Sequence, residues 1–173
     1  MGEPCHLHSF VLGAELAGVP KKMERFTIEG KPAAVKKSEE FIAANDTLIH
    51  CLFVLFTPLF PNHSVALLSS ATGMSFDEQS FFKLGGRLIN LTRYFNVREG
   101  VRRKDDYLPR RLMERARTMG LTKDKVVTKE MLDEYYSLRG WTVDQGIPTK
   151  DKLTELGLEE VAEDLAKRGL LST

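Results

Sequence analysis

Apolar residues recur at three- and four-residue intervals along most of this chain, the spacing that lines up one face of an α-helix. Phe41, Ile42, Leu48, Ile49, Leu52, Phe53 and Phe56 fall on one such face and predict a single long helix. Its second half, from Leu48 onward, is apolar nearly all round, which predicts central burial, and Pro58 and Pro61 end it. A second helix is predicted from Ser75, where Ser75 and Glu78 have the spacing of a capping box. Phe81, Phe82, Leu84, Leu88, Leu91 and Phe95 carry its core face. Gly85 and Gly86 interrupt it, each at a cost of ~1 kcal/mol against Ala, and predict close packing of another helix against bare backbone.

Periodicity disappears between Asn96 and Tyr107 while charge density rises, which predicts a connector. Pro109 predicts the start of a short helix containing Leu112, Met113 and Ala116. Thr128 is the expected cap of the next, with Met131, Leu132, Tyr135 and Tyr136 inward and Gly140 as its left-handed stop. Thr149 caps another, and Leu153, Leu156, Val161, Ala162 and Leu165 predict a closing helical hairpin broken at Gly157. No repeat, low-complexity tract or alternating strand pattern occurs, so the expected fold class is all-α.

Composition narrows the class further. The 173 residues are 42% hydrophobic and 28% charged, enough apolar material for a folded core without a disulfide or metal staple. With 25 basic and 24 acidic residues the net charge is +1, so no global field favours nucleic acid or anionic lipid. Cys5 and Cys51 are the only cysteines, which excludes a disulfide-built secreted module and suits a reducing, cytoplasmic setting. The first residues lack a secretion signal, and the apolar stretch from Cys51 to Phe60 is too short to cross a bilayer.

Candidate chemistry is sparse. Cys5, His6 and His8 have zinc-ligand chemistry but lack the paired spacing of a self-contained site. His50 and Cys51 are adjacent, so on a helix they diverge by about 100° and do not form an evident nucleophile and base. Asp46 precedes the most apolar part of the first helix; a carboxylate there belongs at a helix break or is held by donors. Between Arg98 and Arg117 the basic residues Arg98, Arg102, Arg103, Lys104, Arg110, Arg111, Arg115 and Arg117 suggest a phosphate-reading patch. The interleaved Glu99, Asp105, Asp106 and Glu114 favour local ion pairs instead.

Several strings, in order, resemble the C-terminal helical part of the tungsten-containing aldehyde:ferredoxin oxidoreductase family. They are Cys5-His6-Leu7, Asp46–Phe53, Phe95–Asp106 with Leu108-Pro109, Leu132–Trp141 and Gly146–Leu153, and together they span about Cys5 to Lys167. The resemblance implies a multihelical fold around a tungsten bis-pyranopterin and a neighbouring [4Fe–4S] cluster. It implies an enzyme that oxidises an aldehyde substrate to a carboxylate and passes electrons to ferredoxin. Residues 1–117 would line the cofactor site and 118–173 would form a subdomain packed on it, unless both make one domain. The family's Asp-x-x-Gly-Leu-Cys motif matches Asp46 to Cys51, so Asp46 would accept hydrogen bonds from pterin nitrogens and Cys51 would ligate the cluster. His6 matches a histidine near the metal that hydrogen-bonds substrate or moves a proton.

Two departures shape the expectations. Ile49-His50 stands where the motif has Gly-Leu, which argues against the backbone turn that glycine permits. The chain begins four residues before Cys5, so the N-terminal pterin-binding portion and the Cys-x-x-Cys-x-x-x-Cys with the other three cluster ligands are expected on a partner, either the rest of the enzyme or a split subunit. With two cysteines the chain cannot supply four thiolates, and alone it is not expected to be active. The competing expectations are a catalytically inactive helical remnant or protein-binding module of the same fold, and a nucleic-acid-binding domain using Arg102, Arg103 and Arg110.

Overall fold

The computed structural model describes residues 28–49, 62–120 and 123–171, and they are helical with no strand, only the isolated bridges Arg117–Lys123 and Trp141–Pro148. Two compact units emerge, Ala34–Thr92 and Arg93–Thr173 with 28–33.

The first unit is built from α1 (Lys31–Asp46), α2 (Asn62–Thr72) and most of α3 (Glu78–Arg98). Ala34, Ser38, Phe41, Ile42 and Asn45 form one buried stripe of α1 at helical spacing. Phe41 meets Phe81 edge-on with ring centroids 6.5 Å apart and lies 6.1 Å from Phe82, while Leu48, Val65 and Leu68 complete the cluster. The predicted packing on bare backbone is present. A Cβ on Gly85 would lie 1.8 Å from the Glu40 carbonyl oxygen, so only glycine lets α1 and α3 approach this closely.

Three expectations need correction here. Helix α1 stops at Asp46, and Leu48 and Ile49 lie in a turn, because the apolar pattern alone does not register a helix end. Leu52, Phe53, Phe56, Pro58 and Pro61 lie outside the described residues. The capping box on α3 is formed by Asp77 and Ser80 rather than Ser75 and Glu78. The Ser80 N–H donates to Asp77 Oδ1 at 2.7 Å, and the Asp77 N–H donates to Ser80 Oγ at 2.9 Å. Leu91 and Phe95 are exposed, because the buried face of α3 runs through Phe81, Gly85, Asn90, Arg93 and Val97 and includes two polar side chains.

The second unit is organised as the sequence predicts near its end. Helix α3 extends through Asn96–Arg98, and a 3₁₀ turn at Arg103–Asp105 interrupts what was expected to be a plain connector. Helix α4 (Arg110–Glu114) is shorter than expected, has no buried residue and leaves Ala116 beyond its end. Helix α5 (Lys129–Arg139) ends on Gly140 at φ +68°, the expected left-handed stop. Thr149 caps α6 (Lys150–Glu155) by accepting the Lys152 N–H, and α7 (Glu159–Lys167) follows a break at Gly157. Val97, Ile147, Leu153, Leu156, Leu158, Val161, Ala162 and Leu165 make the core. No helix among the described residues is long and apolar enough to cross a membrane.

Candidate functional site

The C-terminal end of α1 carries the predicted Asp46. Three successive backbone bonds wrap it: Thr47, Leu48 and Ile49 N–H groups donate to the Ala44, Asn45 and Asp46 carbonyls at 3.3, 2.9 and 3.2 Å. Ile49 then turns left-handed at φ +56° with its side chain 93% exposed. The expectation that losing the motif glycine removes this turn is therefore corrected. The tight hydrogen bonding sets the backbone, and the β-branched side chain sits in a region that costs it ~1–2 kcal/mol.

Asp46 is exposed, and its carboxylate has no hydrogen bond or ion pair among the described residues. The negative end of the helix dipole makes this an unfavourable place for a lone carboxylate. Beside it Asn45 is 1% exposed, donates Nδ2–H to the Phe41 carbonyl at 2.8 Å, and has an Oδ1 that accepts nothing among the described residues. A helix end with acceptors in excess of donors is suited chemically to a ligand edged with N–H groups. His6 and Cys51 lie outside the described residues, as do Cys5, His8 and His50. Among the described residues no three His, Cys, Asp or Glu side chains are grouped to hold a metal ion.

In the second unit an arginine and aromatic knot forms that pattern reading missed. Arg93, 5% exposed, donates Nε–H to the Gly146 carbonyl at 2.7 Å and grips both Asp106 oxygens at 3.0 and 2.7 Å. Its guanidinium lies 4.8 Å from the Trp141 ring centroid, and the Tyr136 hydroxyl donates to Asp106. Burial, then the hydrogen bond to Asp106, raise the Tyr136 phenol above its ordinary range. A Cβ at Gly146, where φ is +70°, would lie 2.3 Å from Arg93 Nη2. One arginine inside the helical pattern of α3 carried no signal, although Tyr136, Trp141 and Gly146 all fall in strings that the resemblance rests on.

The three arginines of the nucleic-acid-binding expectation, Arg102, Arg103 and Arg110, are engaged within the chain. Arg102 donates to the Val97 and Val101 carbonyls, Arg103 to Asp133, the Tyr107 hydroxyl and the Val143 carbonyl, and Arg110 to Glu114.

Comparison with known proteins places this geometry. The family model described as aldehyde ferredoxin oxidoreductase, domains 2 and 3, matches residues 3–158. Tungsten-containing aldehyde ferredoxin oxidoreductases of Pyrococcus abyssi and Pyrococcus furiosus are 39% and 36% identical over 159 residues, 90% of this chain. That of Thermococcus kodakarensis is 36% identical over the same share. The chain spans about a quarter (26%) of the length of these relatives. Among solved structures, the active-site complex BamBC of benzoyl coenzyme A reductase with 1,5-dienoyl-CoA superposes with a TM-score of 0.71 at 30% identity, over 87% of this chain and 23% of that one.

Proposed function

The chain belongs to the aldehyde ferredoxin oxidoreductase family, and from that premise we propose that it is the C-terminal wall of an aldehyde-oxidising active site completed by an N-terminal portion. The observation that carries the reading is the end of α1, where the Asp46 carboxylate, without a partner among the described residues, is followed by a left-handed residue at the position of the motif glycine. Asp46 accepts hydrogen bonds from the pterin edge and so fixes the cofactor's orientation. Cys51, five residues on, gives one thiolate to the [4Fe–4S] cluster. His6 would hydrogen-bond the substrate oxygen or move a proton. When bound, the tungsten bis-pyranopterin and the cluster supply the oxidation of aldehyde to carboxylate and the electron path to ferredoxin.

The N-terminal portion brings the other three cysteines, and the assembled enzyme works in the cytosol, where its thiols stay reduced. The structural likeness to the benzoyl coenzyme A reductase complex favours one competing substrate class, an aromatic coenzyme A thioester. Turnover assays with an aldehyde and with benzoyl-CoA separate the two. The reading is tested by co-expressing the chain with an N-terminal portion carrying Cys-x-x-Cys-x-x-x-Cys and measuring bound metal. Asp46→Ala is expected to lower tungsten retention and Cys51→Ala to abolish the cluster; full retention of both would overturn the reading.

A further inference from the structure

The segment Arg110–Lys129 is strongly basic. It holds seven Lys and Arg against two Asp and Glu, a local net charge of +5 in a protein of net +1, which leaves the remainder at −4. Only Arg110 is spent in a salt bridge, to Glu114 at 3.0 Å; Arg111, Arg115, Arg117, Lys123 and Lys125 have no ion pair among the described residues.

The same segment exposes apolar side chains: Leu112 is 52% and Met119 78% exposed, with Leu108 just before it at 43%. Helix α4 buries no residue, and five residues alone have too few internal bonds to persist in water. The segment nevertheless closes on itself: the Asp124 N–H donates to the Arg117 carbonyl at 3.0 Å and the Val127 N–H to the Leu112 carbonyl at 3.3 Å. Exposed Leu and Met interspersed along the chain with cations that have no ion pair among the described residues offer a partner both apolar and charged contacts.

We propose that the segment Leu108–Gly120 docks on the N-terminal portion of the enzyme, with Leu112 and Met119 buried against it and Arg111, Arg115 and Arg117 paired with its carboxylates. The proposal rests on the reading that such a portion completes this chain. Relatives carry about three quarters of their length outside the part matched here, so a large partner surface exists to be covered. Cations brought into an interface need carboxylates, because unpaired burial costs several kcal/mol. The segment contains no Phe, Tyr or Trp on which bases could stack, and α4 is too short to lie along a lipid surface.

The test is to titrate the chain with the N-terminal portion and to compare the triple variant Arg111→Glu, Arg115→Glu, Arg117→Glu. The variant is expected to bind about tenfold or more weakly, with the salt dependence of assembly reduced. The circular dichroism melt of the isolated chain should be unchanged, since the three side chains are exposed and have no partner among the described residues. Undiminished assembly by the variant would overturn this inference and leave the functional reading standing, whereas failure of the wild-type chain to assemble would overturn both. Retention of the wild type, but not the variant, on phosphatidylserine vesicles or a DNA duplex at 0.15 M salt, with assembly unaffected, would reassign the segment and overturn the proposal.

Discussion

Ile49 holds a φ of +56° without the advantage of being glycine, and its side chain packs on little because it is 93% exposed. Strain of ~1–2 kcal/mol outweighs the ~0.5–1 kcal/mol that a glycine costs through the more flexible unfolded chain. Ile49→Gly is therefore expected to stabilise the protein by about 0.5–1 kcal/mol in a denaturant melt; a loss of stability would mean the turn is not strained. At Tyr136 the folded protein holds the phenolic proton more tightly than the unfolded chain, whose tyrosines titrate near 10. Its contribution is complete below pH 10 and declines as pH rises beyond that value, so wild-type stability should fall more steeply there than that of Tyr136→Phe. Parallel alkaline profiles for the two proteins would refute the assignment. The position of Asp46 at a helix break was legible because a carboxylate does not sit easily beside an apolar run. The fate of the turn was not, because side-chain identity at Ile49 argued one way and three backbone hydrogen bonds decided the other.

At the scale of elements, the reading succeeded wherever one local rule dominates. Gly140, Thr149 and Gly157 each act through their own conformation or hydroxyl and fall where expected. Gly85 was legible too, because a glycine in a helix interior costs stability unless something needs the space. Gly85→Ala drives a methyl into the Glu40 carbonyl and is expected to cost about 3 kcal/mol or more, read as a lowered thermal midpoint. A neutral effect would show that α1 and α3 do not meet there. The failures have two causes, a rival cap close by and partners far along the chain. Ser75 has the spacing of a cap, but Asp77 forms it through its reciprocal bonds with Ser80, which also hold its carboxyl below the usual range. On α3 apolar counting put Leu91 and Phe95 inside, whereas Arg93 takes the buried face, made tolerable by Asp106, the Gly146 carbonyl and Trp141, which come from as far as 53 residues away. No periodicity reports partners that distant.

For the whole molecule, membership of the family and the all-helical architecture were legible from ordered strings that turn out to build the Arg93 knot and the closing hairpin, as well as the end of α1. The site itself was only partly so, because His6 and Cys51 lie outside the described residues and the chain spans about a quarter of its relatives. The role of this chain in the enzyme depends on whether it contributes a ligand to a cluster that another portion completes. The most direct measurement is the iron content of the co-purified complex, with wild-type chain and with Cys51→Ala. The wild-type complex should carry the full iron complement of a [4Fe–4S] cluster with its visible absorption, and the variant should lose both while still co-purifying. A Cys51→Ala complex that keeps its iron and its colour would contradict the central claim.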